Sequence, residues 1–272
     1  MREEHLKKQI VGFLNTPPIW NGFQFNVKQF NFPKIDITTF KPEAIPNNIR
    51  LGHQMEYVFK QLISQSSKYR ILLHNLPIRR EKQTLGEIDF ILENIETKTP
   101  IHIELTYKFY IINPVETEPI KCLMGPNKRD MFLAKMDKIK RKQFALIHSP
   151  EAIKALKEIG ITQTSIEQQV CYKAQLFVPY TSYHLNIHPL NTQCICGYWL
   201  SLTNFDVSEF KEYQFYIPNK SEWVITPHNQ VLWSSHTKVI EEINQEFKKE
   251  KAPMVWMKKT ETKFEKFFVI WW

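Results

Sequence analysis

Two segments of this chain are the most informative about its fold: residues 85–93, Leu-Gly-Glu-Ile-Asp-Phe-Ile-Leu-Glu, and residues 101–110, Ile-His-Ile-Glu-Leu-Thr-Tyr-Lys-Phe-Tyr. Apolar and polar side chains alternate in both stretches, and a period of two is typical of a β-strand with one buried face. The linking residues 94–100 are mostly polar and end in Pro100, which favours a hairpin loop. We therefore expect an antiparallel hairpin over residues 85–111.

The polar face of this hairpin carries two carboxylates, Asp89 and Glu104. If the turn centres on residues 96 and 97, the two are directly opposed, with Cβ atoms roughly 5 Å apart. A slip of one residue would separate them. Carboxylates this close repel each other unless one is protonated or a cation lies between them. Mg²⁺ held by one or two carboxylates, several waters and a substrate phosphate would fit. Lys108 shares the face, where it could stabilise developing charge or orient an attacking water.

A helix is predicted before the hairpin, over residues 50–66, and a strand over residues 69–79 joins the two. Glu56 lies beside the apolar stripe of this helix. The stripe follows helical spacing and consists of Leu51, Met55, Val58, Phe59, Leu62 and Ile63.

An Asp, about fifteen residues, and then a Glu with a nearby Lys, on a strand–turn–strand after a helix, resembles the PD-(D/E)XK or restriction-endonuclease-like nuclease superfamily. The chain is most similar to a bacterial family of uncharacterised proteins, a domain of unknown function placed in that superfamily. The similarity covers roughly residues 45–270. Its pattern includes Leu-Gly-Glu-Ile-Asp-Phe at 85–90, Glu-Leu-x-x-Lys-Phe-Tyr at 104–110, Gly-Pro-Asn at 125–127, and a following helix with Asp130, Lys135 and Gln143.

The resemblance implies a metal-dependent nuclease that hydrolyses phosphodiester bonds, in DNA more than in RNA. In that reading Asp89 and Glu104 bind Mg²⁺ or Mn²⁺, the helical Glu56 completes the metal site, and Asp89, Glu104 and Lys108 are the catalytic residues. The implied core consists of a helix, an antiparallel strand meander, a second helix and a further strand.

The chain departs from the superfamily pattern at one position. The pattern places a lysine two residues after Glu104, where this chain has Thr106. Lys108 is the nearest replacement and shares the strand face. Lys135, on the next predicted helix, is a second candidate for the same role.

The charge distribution points to an acidic polymer as partner. The net charge is +8 and the sequence pI is about 9.1, which favours nucleic acid. Basic residues concentrate in a predicted helix over residues 128–143, and a solvated basic face without a partner is the alternative. The predicted phosphate contacts are Lys128, Arg129, Lys135, Lys138, Arg141 and Lys142.

The remaining pattern predicts an α/β protein whose central mixed sheet is flanked by helices. We expect an N-terminal arm packed on the core (1–44), a nuclease-like core (45–185) and a β-rich C-terminal extension (186–272). Ser149 as N-cap and Gly160 as stop bound one further helix. The other predicted elements are a helix over 235–250 and strands over 175–185, 195–202, 213–217, 222–225 and 263–272.

Several function classes are disfavoured. The four cysteines include one close pair, Cys194-Ile-Cys196, whose spacing is too short for a zinc site. Seven glycines and no Gly-rich phosphate loop argue against nucleotide hydrolysis and dinucleotide binding. The N-terminus shows no apolar signal core, and no run approaches the roughly 18 apolar residues of a membrane span. We therefore expect a cytoplasmic protein that does not bind a membrane, and its oligomeric state stays open.

Two other functions remain possible at this point. Thr106 motivates a nucleic-acid-binding protein with a decayed nuclease site. The aromatic residues of the N-terminal arm and of Trp271-Trp272 motivate a protein–protein interaction module. Acidic residues on the wet face of a sheet are also commonly plain solvent-facing side chains.

Overall fold

The computed structural model describes residues 3–161, 166–181 and 186–272 and shows a mixed α/β protein with a large mixed sheet and helices. The helices are α1 (Glu3–Asn15), α2 (Leu51–Ile63), α3 (Pro119–Cys122), α4 (Phe132–Lys138), α5 (Phe144–Leu146), α6 (Pro150–Glu158), α7 (Leu202–Phe205) and α8 (His236–Phe247). A π-helical turn, Ile139–Gln143, joins α4 to α5. The strands are β1 (Phe23–Gln24), β2 (Val27–Lys28), β3 (Tyr69–Arg80), β4 (Gln83–Asn94), β5 (Pro100–Ile112), β6 (Leu123–Met124), β7 (Glu167–Pro179), β8 (Ile195–Ser201), β9 (Gln214–Tyr216), β10 (Met254–Lys258) and β11 (Phe264–Ile270).

The chain forms two compact units. The first contains Pro18–Tyr107 and Ala134–Lys173, with the N-terminal residues up to Lys7. The second contains Lys8–Pro17, Lys108–Leu133 and Ala174–Trp272. The division predicted from the sequence at residues 44 and 185 stays a prediction.

In the first unit, β3, β4 and β5 form an antiparallel meander. Helix α2 packs on it through Phe59, whose ring centroid lies 4.7 Å from that of Phe90. Helix α6 packs on β3 and β4, where Ala152 and Leu156 join a buried apolar cluster with Ile88. The meander and the helix before it agree with the sequence prediction.

The start and end of α6 also agree with the sequence prediction. Ser149 Oγ accepts a hydrogen bond from the backbone N–H of Ala152 at 3.2 Å, as an N-cap does. Gly160 adopts φ +76° just beyond the helix, a conformation that glycine reaches without a Cβ clash.

In the second unit, β8 runs parallel to both β7 and β11, and β10 lies antiparallel between β11 and β9. Helix α8 begins after Ser235, whose Oγ accepts from the backbone N–H of Lys238 at 3.4 Å. Val239 and Ile243 on this helix are fully buried in an aromatic-rich core with Phe205 and Phe267.

The predicted helix over 128–143 begins only at Phe132. Residues 125–130 form a turn instead, in which Lys128 has φ +56° and donates its backbone N–H to Gly125 O at 2.8 Å. The prediction was also wrong in treating the segment as regular α-helix, because it passes into π-helix at Ile139.

Three strand predictions need correction. The strand predicted over 175–185 spans Glu167–Pro179, and residues 182–185 lie outside the described residues. Residues 222–225 are not a strand, because Asn219 and Glu222 form a capping box around a 3₁₀ turn. Strand β10 was not predicted at all.

No helix in the described part of the chain is both long and apolar enough to cross a membrane.

Candidate metal centre

Asp89 and Glu104 face each other across the hairpin of the first unit. Phe90 pairs with Ile103 and Ile91 with His102, and the same antiparallel register places Asp89 opposite Glu104. The backbone N–H of Leu105 also donates to Asp89 Oδ2 at 2.9 Å. The register that brings the two carboxyl groups together is therefore the predicted one.

The two carboxyl groups lie in a poorly solvated environment. Glu104 is fully buried, and Asp89 is partly exposed. Burial raises the pKa of Asp89 well above its usual value, and the neighbouring charge of Glu104 raises it further. Burial likewise raises the pKa of Glu104, to about 8. Without a cation, the pair therefore keeps at least one proton near pH 7, and a hydrogen bond joins the side chains of Asp89 and Glu104.

His102 fixes one oxygen of Glu104. Burial lowers the pKa of His102 to about 4, so the ring is neutral near pH 7. Its Nδ1 accepts from Gln168 Nε2 at 3.3 Å, and the Nε2–H therefore donates to Glu104 Oε1, 3.0 Å away. This tautomer follows from the hydrogen-bond network.

Gln143 fixes the other oxygen and connects it to a lysine. Its Nε2 donates to Glu104 Oε2, and its Oε1 accepts from Lys135 Nζ at 2.8 Å. The positive charge of Lys135 opposes the rise in pKa of both Glu104 and Asp89. Gln143 ends the π-helical turn, and such turns in helices are frequent at functional sites.

Glu56 approaches the pair from α2. Its Oε2 accepts from Asn75 Nδ2 at 3.3 Å and contacts His53 Nδ1 at 3.1 Å. The charge of Glu56 raises the pKa of both Asp89 and Glu104. The structure therefore brings Glu56 to the side of the sheet that carries the two carboxyl groups.

Asn75 is the residue of β3 level with Asp89, because it lies between the pairs His74–Phe90 and Leu76–Ile88. It has φ +53°. Its Oδ1 is buried and accepts no hydrogen bond within the described residues, which is an uncommon arrangement for a buried amide oxygen. An amide oxygen that accepts no hydrogen bond and lies beside two carboxyl groups is chemically suited to bind a cation.

The donor set fits a hard divalent cation. The donors are oxygen atoms of Asp89, Glu104 and Asn75, and Mg²⁺ and Mn²⁺ prefer such ligands. In the described residues, no group of three or more His, Cys, Asp or Glu side chains is arranged to hold a metal ion. Glu56 is therefore not placed as a third carboxylate ligand, and water and substrate oxygens would have to complete the coordination.

Three of the other predicted site residues, Lys108, Lys128 and Arg129, belong to the second unit. Lys108 donates to Asp130 in the second unit. In the same unit, Lys128 lies over the ring of Trp272, 3.8 Å from its centroid, and Arg129 pairs with exposed Glu250.

In the first unit, Lys138, Arg141 and Lys142 are exposed along the π-helical turn and the end of α4. Arg141 Nε pairs with Asp137 at 2.6 Å. Phe132, Met136 and Ile139 are buried.

The sequence reasoning missed Asn75, Gln168 and the part played by His102. His102 lies two residues before Glu104 on the same strand, so the alternation of side chains along the strand indicates that the two share a face. Asn75 and Gln168 lie on strands whose register no local pattern defines.

Comparisons with known proteins place the chain in a family without naming an activity. No curated protein and no solved structure matches it. One family matches over residues 35–270, which is most of the chain. The protein therefore belongs to the family described as "Domain of unknown function (DUF1853)".

Proposed function

We propose that the protein is a metal-dependent nuclease that hydrolyses phosphodiester bonds, with DNA as the preferred substrate. The observation that carries the proposal is the opposed pair Asp89 and Glu104, tied through Gln143 to Lys135. A buried acid pair beside a lysine and an unused amide oxygen has no evident benefit for stability, because burying ionisable groups is costly. Such an arrangement suits a reaction centre.

In this proposal Asp89 and Glu104 hold Mg²⁺ or Mn²⁺, with Asn75 Oδ1 as a further oxygen donor. Bound there, the metal would polarise the phosphate and lower the pKa of a coordinated water. His102 and Gln143 keep the two oxygens of Glu104 in fixed positions. The proton shared by Asp89 and Glu104 is released when the two become ligands.

Lys135 takes the role that the superfamily pattern gives to a lysine two residues after the glutamate. Thr106 occupies that position, and its Oγ1 is buried without a partner in the described residues. Lys135 reaches the same carboxylate from a helix by way of Gln143. In this proposal its positive charge stabilises negative charge developing on the phosphate.

A pair of variants decides between the two candidate lysines. We expect Lys135→Met to lower the cleavage rate about 100-fold, the scale of losing one electrostatic stabiliser of a transition state. We expect Lys108→Met to lower it far less, since Lys108 is engaged with Asp130. Single-turnover cleavage of a labelled duplex measures both. If Lys108→Met were the more damaging change, the assignment of Lys135 would be wrong.

The exposed basic residues after α4 would contact the phosphate backbone. We expect the double change Arg141→Ser and Lys142→Ser to reduce the slope of log K against log salt by about 1.8, at roughly 0.9 for each lost phosphate contact. Lys154→Ser with Lys157→Ser removes two exposed lysines from α6 and serves as the control. Fluorescence anisotropy with a labelled duplex across a salt series measures the slope. Equal slopes for the two double variants would contradict this binding face.

The direct test of the proposed function is incubation of the purified protein with plasmid and with single-stranded DNA, in Mg²⁺ or Mn²⁺. Cleavage that a chelator stops would support the proposal. Salt-dependent binding without cleavage in either metal would instead favour the non-catalytic nucleic-acid binder, with Thr106 as its reason.

A further inference from the structure

The second unit contains a pocket of about 670 Å³, formed by β7, β8, β11 and residues 12–17 and 224–227. The volume lies within the range of small-molecule sites, roughly 300–1,000 Å³. All of its lining residues belong to the second unit, so the pocket is independent of the carboxylate pair of the first unit.

The charged residues that line this pocket are Lys259, Glu265 and Lys266. Glu265 accepts from Lys259 Nζ at 2.6 Å and from Tyr198 Oη at 3.2 Å. The Glu265 carboxylate therefore already forms an ion pair with Lys259. The lining carries one surplus positive charge, and it belongs to Lys266.

Lys266 is buried, with 9% of its surface exposed. Its Nζ donates to the neutral Gln175 Oε1 at 2.6 Å. Among the residues that the structure describes, no carboxylate forms an ion pair with it, and burial lowers its pKa. A buried lysine is ordinarily paired with an acid, so the pocket lacks the counter-ion that this ammonium would normally have.

The backbone holds Lys266 in this position. Leu176 pairs with Ile195 but Phe177 pairs with Gly197, so Cys196 is the extra residue of a β-bulge. A Cβ on Gly197 would come within 2.0 Å of Lys266 O, and glycine therefore lets β8 and β11 approach closely here. Bulges commonly re-aim side chains next to binding sites.

The rest of the lining suits an apolar group. It includes Val178, Val224, Pro227 and Phe264. A ligand that matched both parts would carry an anionic head near Lys266 and an apolar body along these side chains.

We propose that this pocket binds a small organic anion whose carboxylate or phosphate group becomes the counter-ion of Lys266. Gln175 orients the ammonium through its Oε1, and the apolar lining contacts the body of the ligand. Both a carboxylate and a phosphate group carry the negative charge that would pair with Lys266. The experiment below distinguishes between these two head groups.

The probes are benzoate, phenyl phosphate and the neutral benzyl alcohol, with binding measured by isothermal titration calorimetry on the full chain. We expect at least one of the two anions to bind and benzyl alcohol to bind at least about tenfold more weakly, since it lacks the charge that pairs with Lys266. The tighter of the two anions identifies the head group. Absence of binding by both anions, or equal binding of benzyl alcohol, would overturn the proposal.

Two variants locate the interaction. Lys266→Met should weaken the tighter anion by about thirtyfold or more, the effect of removing one partner of a buried charge pair. Lys263→Met removes the same charge from an exposed position outside the lining and should leave binding unchanged. Equal loss in both variants would show a general charge effect and contradict the proposal.

Gln175→Glu keeps the test decisive if Lys266→Met fails to fold. It places a carboxylate within reach of Lys266 Nζ, so the chain supplies its own counter-ion. We expect loss of anion binding, because the new carboxylate pairs with Lys266 Nζ. Unchanged anion binding in folded Gln175→Glu would show that Lys266 is not the binding group.

Discussion

Asp89→Ala is expected to abolish metal-dependent cleavage of DNA while leaving DNA binding largely intact. Asp89 is the more accessible member of the acid pair, and its Oδ2 is held by the backbone N–H of Leu105 at 2.9 Å. Loss of residues that only support a metal ligand typically lowers activity or affinity 10–100-fold, so loss of a ligand itself should reach at least about 100-fold. Cleavage of supercoiled plasmid in Mg²⁺ and in Mn²⁺ measures the effect.

Two controls make this result specific. Glu96→Ala removes an exposed carboxylate from the turn of the same hairpin and should cleave at the wild-type rate. Calorimetric titration with Mn²⁺ should show a site in wild type and in Glu96→Ala that Asp89→Ala lacks. Full cleavage by Asp89→Ala would refute the proposed centre, whereas loss of cleavage with unchanged Mn²⁺ binding would move the metal away from Asp89.

The part of the site that could be predicted from sequence is the part that strand alternation determines. In the hairpin, Ile88 and Phe90 are buried, and their neighbours face the other way, so Asp89 had to lie on the polar side. The polar loop between the strands then set the register that opposes it to Glu104. Local pattern was sufficient because both strands belong to one hairpin.

The rest of the site depends on residues distant in sequence and on polar residues in the core. Strand β7 was predicted to start eight residues too late because it buries Gln169, Lys173 and Gln175, which in the sequence resemble solvent-facing residues. Gln168 on that strand supports His102. Helical periodicity likewise could not predict the π-helical turn that places Gln143 against Glu104.

In the second unit, the helix predicted over residues 235–250 corresponds to α8, His236–Phe247, and ends three residues earlier than predicted. Its apolar residues recur at helical spacing, and Val239 and Ile243 among them are buried. Strand β10, Met254–Lys258, was not predicted from the sequence, because its five residues are nearly all buried and show no alternation. A short, continuous apolar run cannot be assigned to a strand by periodicity alone.

The acid pair should also make the metal-free protein less stable as the pH rises. Burial raises the pKa of Glu104 from 4.5 to about 8 in the folded chain. Below pH 4.5 the folded and unfolded chains both hold this proton, so Glu104 contributes no difference. Between pH 4.5 and 8 the unfolded chain has released it and the folded chain has not, so the free energy of unfolding decreases across this window. At about 1.4 kcal/mol per pKa unit, the total loss is on the order of a few kcal/mol.

Urea unfolding in a chelator between pH 5 and 8.5 measures this slope. Glu104→Gln should reduce it because the amide does not titrate, and the remaining slope reports the raised pKa of Asp89. The slope is the appropriate readout, since the substitution also alters the hydrogen bonds from His102 and Gln143 and so shifts stability at every pH. Glu81→Gln, at an exposed position, should keep the wild-type slope.

Excess Mg²⁺ should stabilise wild type more at pH 8 than at pH 5, because the ligands bind the cation only after losing their proton. A Mg²⁺ effect of equal size at both pH values, or in Glu104→Gln, would mean that the cation binds outside the acid pair. A wild-type slope unchanged by Glu104→Gln would mean that Glu104 is ionised in the folded protein without a metal.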